Sequence, residues 1–93
     1  MTDYYFDRLK EAVTYHQIER DGKTWYSAWH VCTALQYNYK TALRMVLADD
    51  KLTTHRMGLR GIRNATYFSS RGVEAVIMLK GGLPRKHMME ALA

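Results

Sequence analysis

The sequence predicts a small single α+β domain spanning residues 1–93. Two β-hairpins and about four to five short helices are expected in it. Three observations carry that expectation. A chain of 93 residues is long enough for one domain with a thin core. Asp21-Gly22 separates two β-prone runs, "VTYHQIER" and "KTWYSAW". Capped helical patterns then lie on both sides of a second β-prone stretch that is broken by Gly58 and Gly61.

The chain opens on "TDYYFDRLKEA". Thr2 is placed to cap a helix, Asp3 falls in its first turn, and Phe6, Leu9 and Val13 follow helical spacing. This predicts an amphipathic helix over about residues 1–12. Strands are expected at Thr14–Arg20 and Lys23–Ser27. Asp-Gly between them signals a two-residue type I′ turn, which needs positive φ at both central positions. Ser27 is then free to cap a helix starting at Ala28, with Val31, Ala34 and Leu35 on one face. At "YNY" this helix should end, and Asn38 should cap the next, "YKTALRMVLA". Leu43, Val46 and Leu47 form its expected apolar face. Tyr39, Lys40 and Arg44 fall elsewhere, toward solvent or a partner.

Asp49 and Asp50 oppose the helix dipole and should stop this helix. "KLTTHRMGLRGIRNATYFSS" reads as the second hairpin, with Arg60 in its loop and Arg56 and Arg63 on either side. "SSRGVEAVIMLKGG" is a helix capped by Ser69 or Ser70, cored by Val73, Val76 and Ile77, and stopped by Gly81-Gly82. Pro84 sits at the first turn of a last helix, "PRKHMMEAL".

Charge is uneven along the chain. Residues 1–50 carry six Lys/Arg and seven Asp/Glu, a net of −1; residues 51–93 carry eight Lys/Arg and two Asp/Glu, a net of +6. A basic excess confined to one half suits an anionic partner, and nucleic acid is the commonest. The same charges also suit solvated faces. The single cysteine, Cys32, has no partner for an internal disulfide, and an unpaired thiol suits a reducing compartment. There is no basic segment before an apolar run at the start, and no apolar run of membrane-spanning length. A cytoplasmic protein with no membrane partner is expected.

Catalytic chemistry has little support. His16, His30, His55 and His87 fall in different expected elements, and His30-x-Cys32 is the one close pair, so no metal site is expected. Cys32 in "HVCTAL" reads as a small buried residue rather than a nucleophile. "GLRGIRN" does not follow a strand and open a helix, as a phosphate-cradling loop does. No enzyme activity and no cofactor are expected. For nucleic-acid binding the case is better. Two helices joined tightly at Asn38 could set the second across a groove, and a hairpin bearing three arginines could reach phosphates like a wing. Arginine suits both tasks through its planar, bidentate fork.

The stretch "DGKTWYSAWHVCTALQYNYKTALRMVL" resembles the core of the Bro-N domain, found in viral and phage proteins including antirepressors. The shared features are the turn at Asp21-Gly22, the aromatic pair Trp25-Tyr26 entering a helix, a helix end at "TALQY", and a basic second helix, "NYKTALR". "TYFSSRGVEAVIML" followed by "GGLPRKHMMEAL" is similar in order, so the resemblance runs from Val13 to Leu92. His30 stands where the family usually has an acidic residue, and Gln36 stands at the glycine of its "LGY". The resemblance implies an α+β DNA-binding fold of phage or viral origin, acting in a bacterial host cell.

Together these readings lead to an antirepressor-type regulator of transcription that binds duplex DNA. The expected contacts are Tyr39, Lys40 and Arg44 on the second helix of the pair, and Arg56, Arg60 and Arg63 on the hairpin. The rival is a small phage module that binds a protein, either a repressor, a host enzyme or a host defence complex. Its anchors would be Tyr4, Tyr5, Trp29, Tyr37 and Tyr39. A homodimer is compatible with both.

Overall fold

A computed structural model describes residues 2–59 and 61–93, with the side chains of Thr2, Arg56, Met57, Ile62 and Arg63 left out. The chain runs α1 (Thr2–Tyr15), β1 (Gln17–Arg20), β2 (Lys23–Ser27), α2 (Ala28–Leu35), α3 (Tyr39–Met45), β3 (Lys51–Gly58), β4 (Gly61–Phe68), α4 (Ser70–Lys80) and α5 (Arg85–Met89). One-turn 3₁₀ segments at Ala48–Asp50 and Glu90–Leu92 complete it. The α+β class and both hairpins are as the sequence predicts. None of the described helices is long and apolar enough to cross a membrane.

Local chemistry sets the turns and caps. Asp21 and Gly22 both take positive φ, 57° and 74°, as the type I′ turn demands. Ser27 accepts the His30 amide at the start of α2, Asn38 accepts the Thr41 amide at α3, and Ser69 rather than Ser70 accepts the Gly72 amide at α4. Pro84 lies just before α5, which turns 3₁₀ after Met89.

Three expectations are corrected. Thr2 is the first residue of α1, not its cap, and α1 runs on to Tyr15, so β1 begins at Gln17 instead of Thr14. Leu9, Ala12 and Val13 are all buried at helical spacing, and that packing overrides the strand preference of "VTY". Second, α3 ends at Met45, with Val46 already extended at φ −75°, ψ 136°. The Lys51 ammonium donates to the Leu43 carbonyl at 2.6 Å, satisfying an acceptor that the shortened helix leaves open. Leu47 is therefore turned outward, 68% exposed, while Ala42 joins Val46 in the core. Third, Tyr39 does not stand free in solvent. It is half-buried against the core, as are Tyr5 and Tyr37.

The central helix is α2. Val31, Cys32 and Leu35 meet Leu9 and Val13 of α1, Val73, Val76 and Ile77 of α4, and Phe68 of β4 in one cluster, closed by Met88 and Ala91. The four strands form one antiparallel sheet in the order β1-β2-β4-β3. The β2–β4 seam is only two pairs long, Tyr26↔Phe68 and Ser27↔Tyr67. Beyond it β2 gives way to α2, while β3 and β4 stay paired out to Gly58↔Gly61.

Candidate nucleic-acid interface

That short seam shapes the surface. From Thr53↔Thr66 onward no third strand pairs with β3 and β4 among the described residues, so the second hairpin continues as a two-stranded ribbon. Six residues per strand at about 3.3 Å each make a ribbon roughly 20 Å long, in a molecule measuring 40 × 27 × 25 Å. Its base is closed by the residues flanking it. The Ser69 amide donates to the Asp50 carbonyl at 3.0 Å, and the Ser69 hydroxyl donates to the Asp50 carboxylate at 2.9 Å. Both residues are buried. Among residues 51–68 there are four Lys/Arg and no Asp or Glu.

The strand registers also sort the sheet into two faces, because side chains alternate along a strand. Tyr26 and Phe68 share the face that packs on the helices. The other face carries Ile18, Trp25, Ser27, Tyr67, Leu52, Thr54 and Ala65. Arg20↔Lys23 closes one end of that register, and the Arg56↔Arg63 pair lies two places beyond Thr54↔Ala65 at the other. The Lys23 ammonium sits 4.9 Å from the centre of the buried Trp25 ring. Arg20 and Lys23 thus place two cations at one end of an aromatic centre on this face.

Beside it opens a cleft of about 720 Å³. Tyr15, His16 and Gln17 form one wall, Thr54 and Asn64 of the ribbon the other, and Ser27, Trp29, His30 and Tyr39 lie between. The rings of His16 and His30 stack with centroids 3.4 Å apart and planes 9° from parallel. The Ser27 hydroxyl accepts the His30 amide and lies 2.7 Å from His30 Nδ1. Its own proton is then free to donate to Nδ1, which suits a neutral ring protonated at Nε2. Burial, and then the neighbouring His16, hold His30 below the usual histidine range. Across the cleft, His55 Nδ1 and Asn64 Oδ1 are 2.6 Å apart. Trp29 meets Tyr39 edge to face at 5.4 Å and leaves 57% of its surface exposed.

The expected contact residues divide. Tyr39 lines the cleft with Trp29. Lys40 and Arg44 are exposed on α3, one turn apart, and do not line it. Arg56 and Arg63 are direct register partners on the ribbon. Arg60 lies outside the described residues. The aromatic anchors of the rival reading do not form one patch, although Trp29 and Tyr39 meet. Tyr4 and Tyr5 lie by Gln36 at the end of α2, whereas Trp29 is near its start, about 10 Å away along the axis.

Sequence reasoning missed Arg20, His16, His30, His55 and Asn64 as parts of one surface. One signal could have found two of them. A two-residue turn at Asp21-Gly22 pairs residues whose numbers share a fixed sum, and it sets His16 opposite Ser27, where the Ser27 amide donates to the His16 carbonyl at 2.8 Å. His30 then follows one turn into the helix that Ser27 caps.

Cys32 stands apart from the cleft. It is 1% exposed, and burial pushes its thiol up to about 11, away from nucleophilic chemistry at neutral pH. Among the described residues no group of three His, Cys, Asp or Glu is placed to hold a metal ion. No protein-family model, curated protein or solved structure matches this chain.

Proposed function

We propose that this protein is a DNA-binding regulator of the phage antirepressor type, gripping duplex DNA with the β3–β4 ribbon and the exposed basic face of α3. The observation that carries the reading is the ribbon. Residues 53–66, fourteen residues with three arginines and no acid, run past the two-pair seam, and a two-stranded ribbon fits the major groove. The backbone register pairs Arg56 with Arg63, and two like-charged residue types at paired positions suit a phosphate partner. Lys40 and Arg44, exposed one turn apart, suit further phosphate contacts, which set position rather than sequence. The Bro-N resemblance points the same way. A protein partner is the weaker reading, because the exposed aromatics lie at opposite ends of α2 instead of forming one patch.

A salt titration tests this. Affinity for random duplex DNA should fall steeply with salt, and replacing Arg56, Arg60 and Arg63 together with Gln should flatten the log K against log salt slope by up to about 3. An unchanged slope removes the ribbon from the interface. No binding of duplex at low salt overturns the DNA reading and favours a protein target such as a repressor or a host protein.

A further inference from the structure

We propose that the cleft between α2 and the ribbon binds unpaired nucleotides of a DNA strand, with a base stacked on Trp29; this rests on the DNA-binding reading and adds a second kind of contact to it. Trp29 is the starting point. A tryptophan with more than half its surface exposed leaves a large apolar face in water, yet this one is held in place. Its ring meets Tyr39 edge to face, and Tyr39 is fixed as the first residue of α3 behind the Asn38 cap. The indole therefore presents a firm, open surface to the cleft.

The rest of the lining suits a nucleotide better than it suits other ligands. Among the described residues no Asp or Glu lines the cleft, and Arg20 does, so anionic occupants are favoured over cationic ones. A simple anion would leave the rings without a role. With His55 bonded to Asn64 Oδ1, the Asn64 amide nitrogen remains to donate to the edge of a base. The volume, about 720 Å³, lies within the range of sites for drug-sized ligands. Flat rings, amide and hydroxyl edges and a flanking cation are the combination by which proteins hold single strands.

Pairing state decides which DNA can enter. In a duplex both faces of each base are covered by its neighbours, so a base cannot lie on Trp29 without leaving the stack. An unpaired base has its faces free. Since every base has such a face, the site should tolerate any sequence. Thr54 and Asn64 of the ribbon line this cleft, so a strand lying in it would run beside the element proposed to grip a duplex.

Tryptophan emission gives the direct test, because Trp25 is buried and Trp29 is the exposed reporter. An oligothymidylate of about 12 nucleotides and a duplex of the same length are titrated at one ionic strength. The single strand should quench Trp29 emission, and the duplex should bind with far less quenching. Trp29→Leu, followed by the anisotropy of a labelled strand, should weaken single-strand binding about 10-fold or more while leaving duplex affinity within about 2-fold. Trp29→Phe should fall between the two, and it serves if the Leu variant melts early. If duplex binds but the single strand neither quenches Trp29 nor loses affinity in either variant, the cleft is not a nucleotide site and the ribbon reading stands. If neither form of DNA binds at low salt, both readings fall.

Discussion

Gln36→Gly should stabilise the protein. Gln36 closes α2 in the left-handed conformation, at φ 54° and ψ 43°, with its amide donating back to the Thr33 and Cys32 carbonyls. For a residue with a Cβ that conformation costs about 1–2 kcal/mol, and glycine is the usual occupant of such a helix end. Two terms oppose the gain. Glycine has more freedom to lose on folding, about 0.5–1 kcal/mol. The Gln36 side chain also touches the Tyr5 hydroxyl at 3.4 Å and the Tyr4 hydroxyl at 3.5 Å, but these are exposed contacts at the limit of hydrogen bonding and contribute little. The net is a gain of about 0.5–1 kcal/mol, or a rise in Tm of roughly 2–8 °C for a domain of this size. Gln36→Ala separates the terms, because it removes the same side-chain contacts while keeping the strain. Thermal melts should then rank Gly above Gln and Gln at or above Ala. A glycine variant that melts at or below the parent would refute the argument and place the weight of this position in its side chain.

Four further outcomes are expected. Gly22→Val, which forces a β-branched residue to φ 74°, should destabilise the fold by about 1 kcal/mol or more, and coincident melts would refute the strained turn. Gly72→Ala would set a Cβ 2.9 Å from the Asp50 carbonyl oxygen and 3.0 Å from Phe68 Cβ, so overpacking of about 1–3 kcal/mol should outweigh a helix-propensity gain of at most about 1, and a higher Tm would show that the ribbon base yields freely. Because His30 is held below its usual range, the unfolded chain takes up a proton that the folded chain resists; stability should be full above about pH 6.5 and decline as the pH falls below that, and His30→Gln should flatten the decline in melts at about pH 7.5 and 5.5. Cys32, buried and with its thiol at about 11, should react with an aromatic disulfide reagent only as the chain unfolds, and fast labelling of the native protein would reopen a thiol chemistry.

What was legible in the sequence was local. Asp21-Gly22, Ser27, Asn38 and the Gly81-Gly82 stop act within a few residues of themselves, so their chemistry reads directly as a turn, two caps and a helix end. The end of α1 was not legible, because "VTY" favours a strand in isolation and becomes helical only through the burial of Val13 against Cys32 and its neighbours. Leu47 was misplaced for a similar reason. The apolar spacing continues past Met45, but the chain turns at Val46 and Lys51 takes up the freed carbonyl from eight residues away. Asp50 looked like a helix stop and is instead the buried partner of Ser69, a contact across the whole second hairpin. Tyr39 was expected to face solvent or a partner, and its half-buried place in the cleft depends on Trp29 and on the ribbon, which no spacing along the chain connects.

The two proposed contacts share one mechanical element. β4 belongs to the ribbon through its pairing with β3, and it forms a wall of the cleft through Asn64, Ala65 and Thr66. Among the described residues its pairing with β2 is Tyr26↔Phe68 and Ser27↔Tyr67, and its base is closed by the Asp50–Ser69 contacts and by Phe68 in the core. Among the described residues no third strand pairs with the ribbon beyond that seam, so its aim is set largely at that base. Gly72 lies there, against the Asp50 carbonyl that accepts the Ser69 amide. A change at the start of α4, touching neither the arginines nor Trp29, would therefore tilt the ribbon and alter the width of the cleft together. Duplex and single-strand affinities should then shift as a pair in Gly72 variants, whereas Trp29 variants separate them.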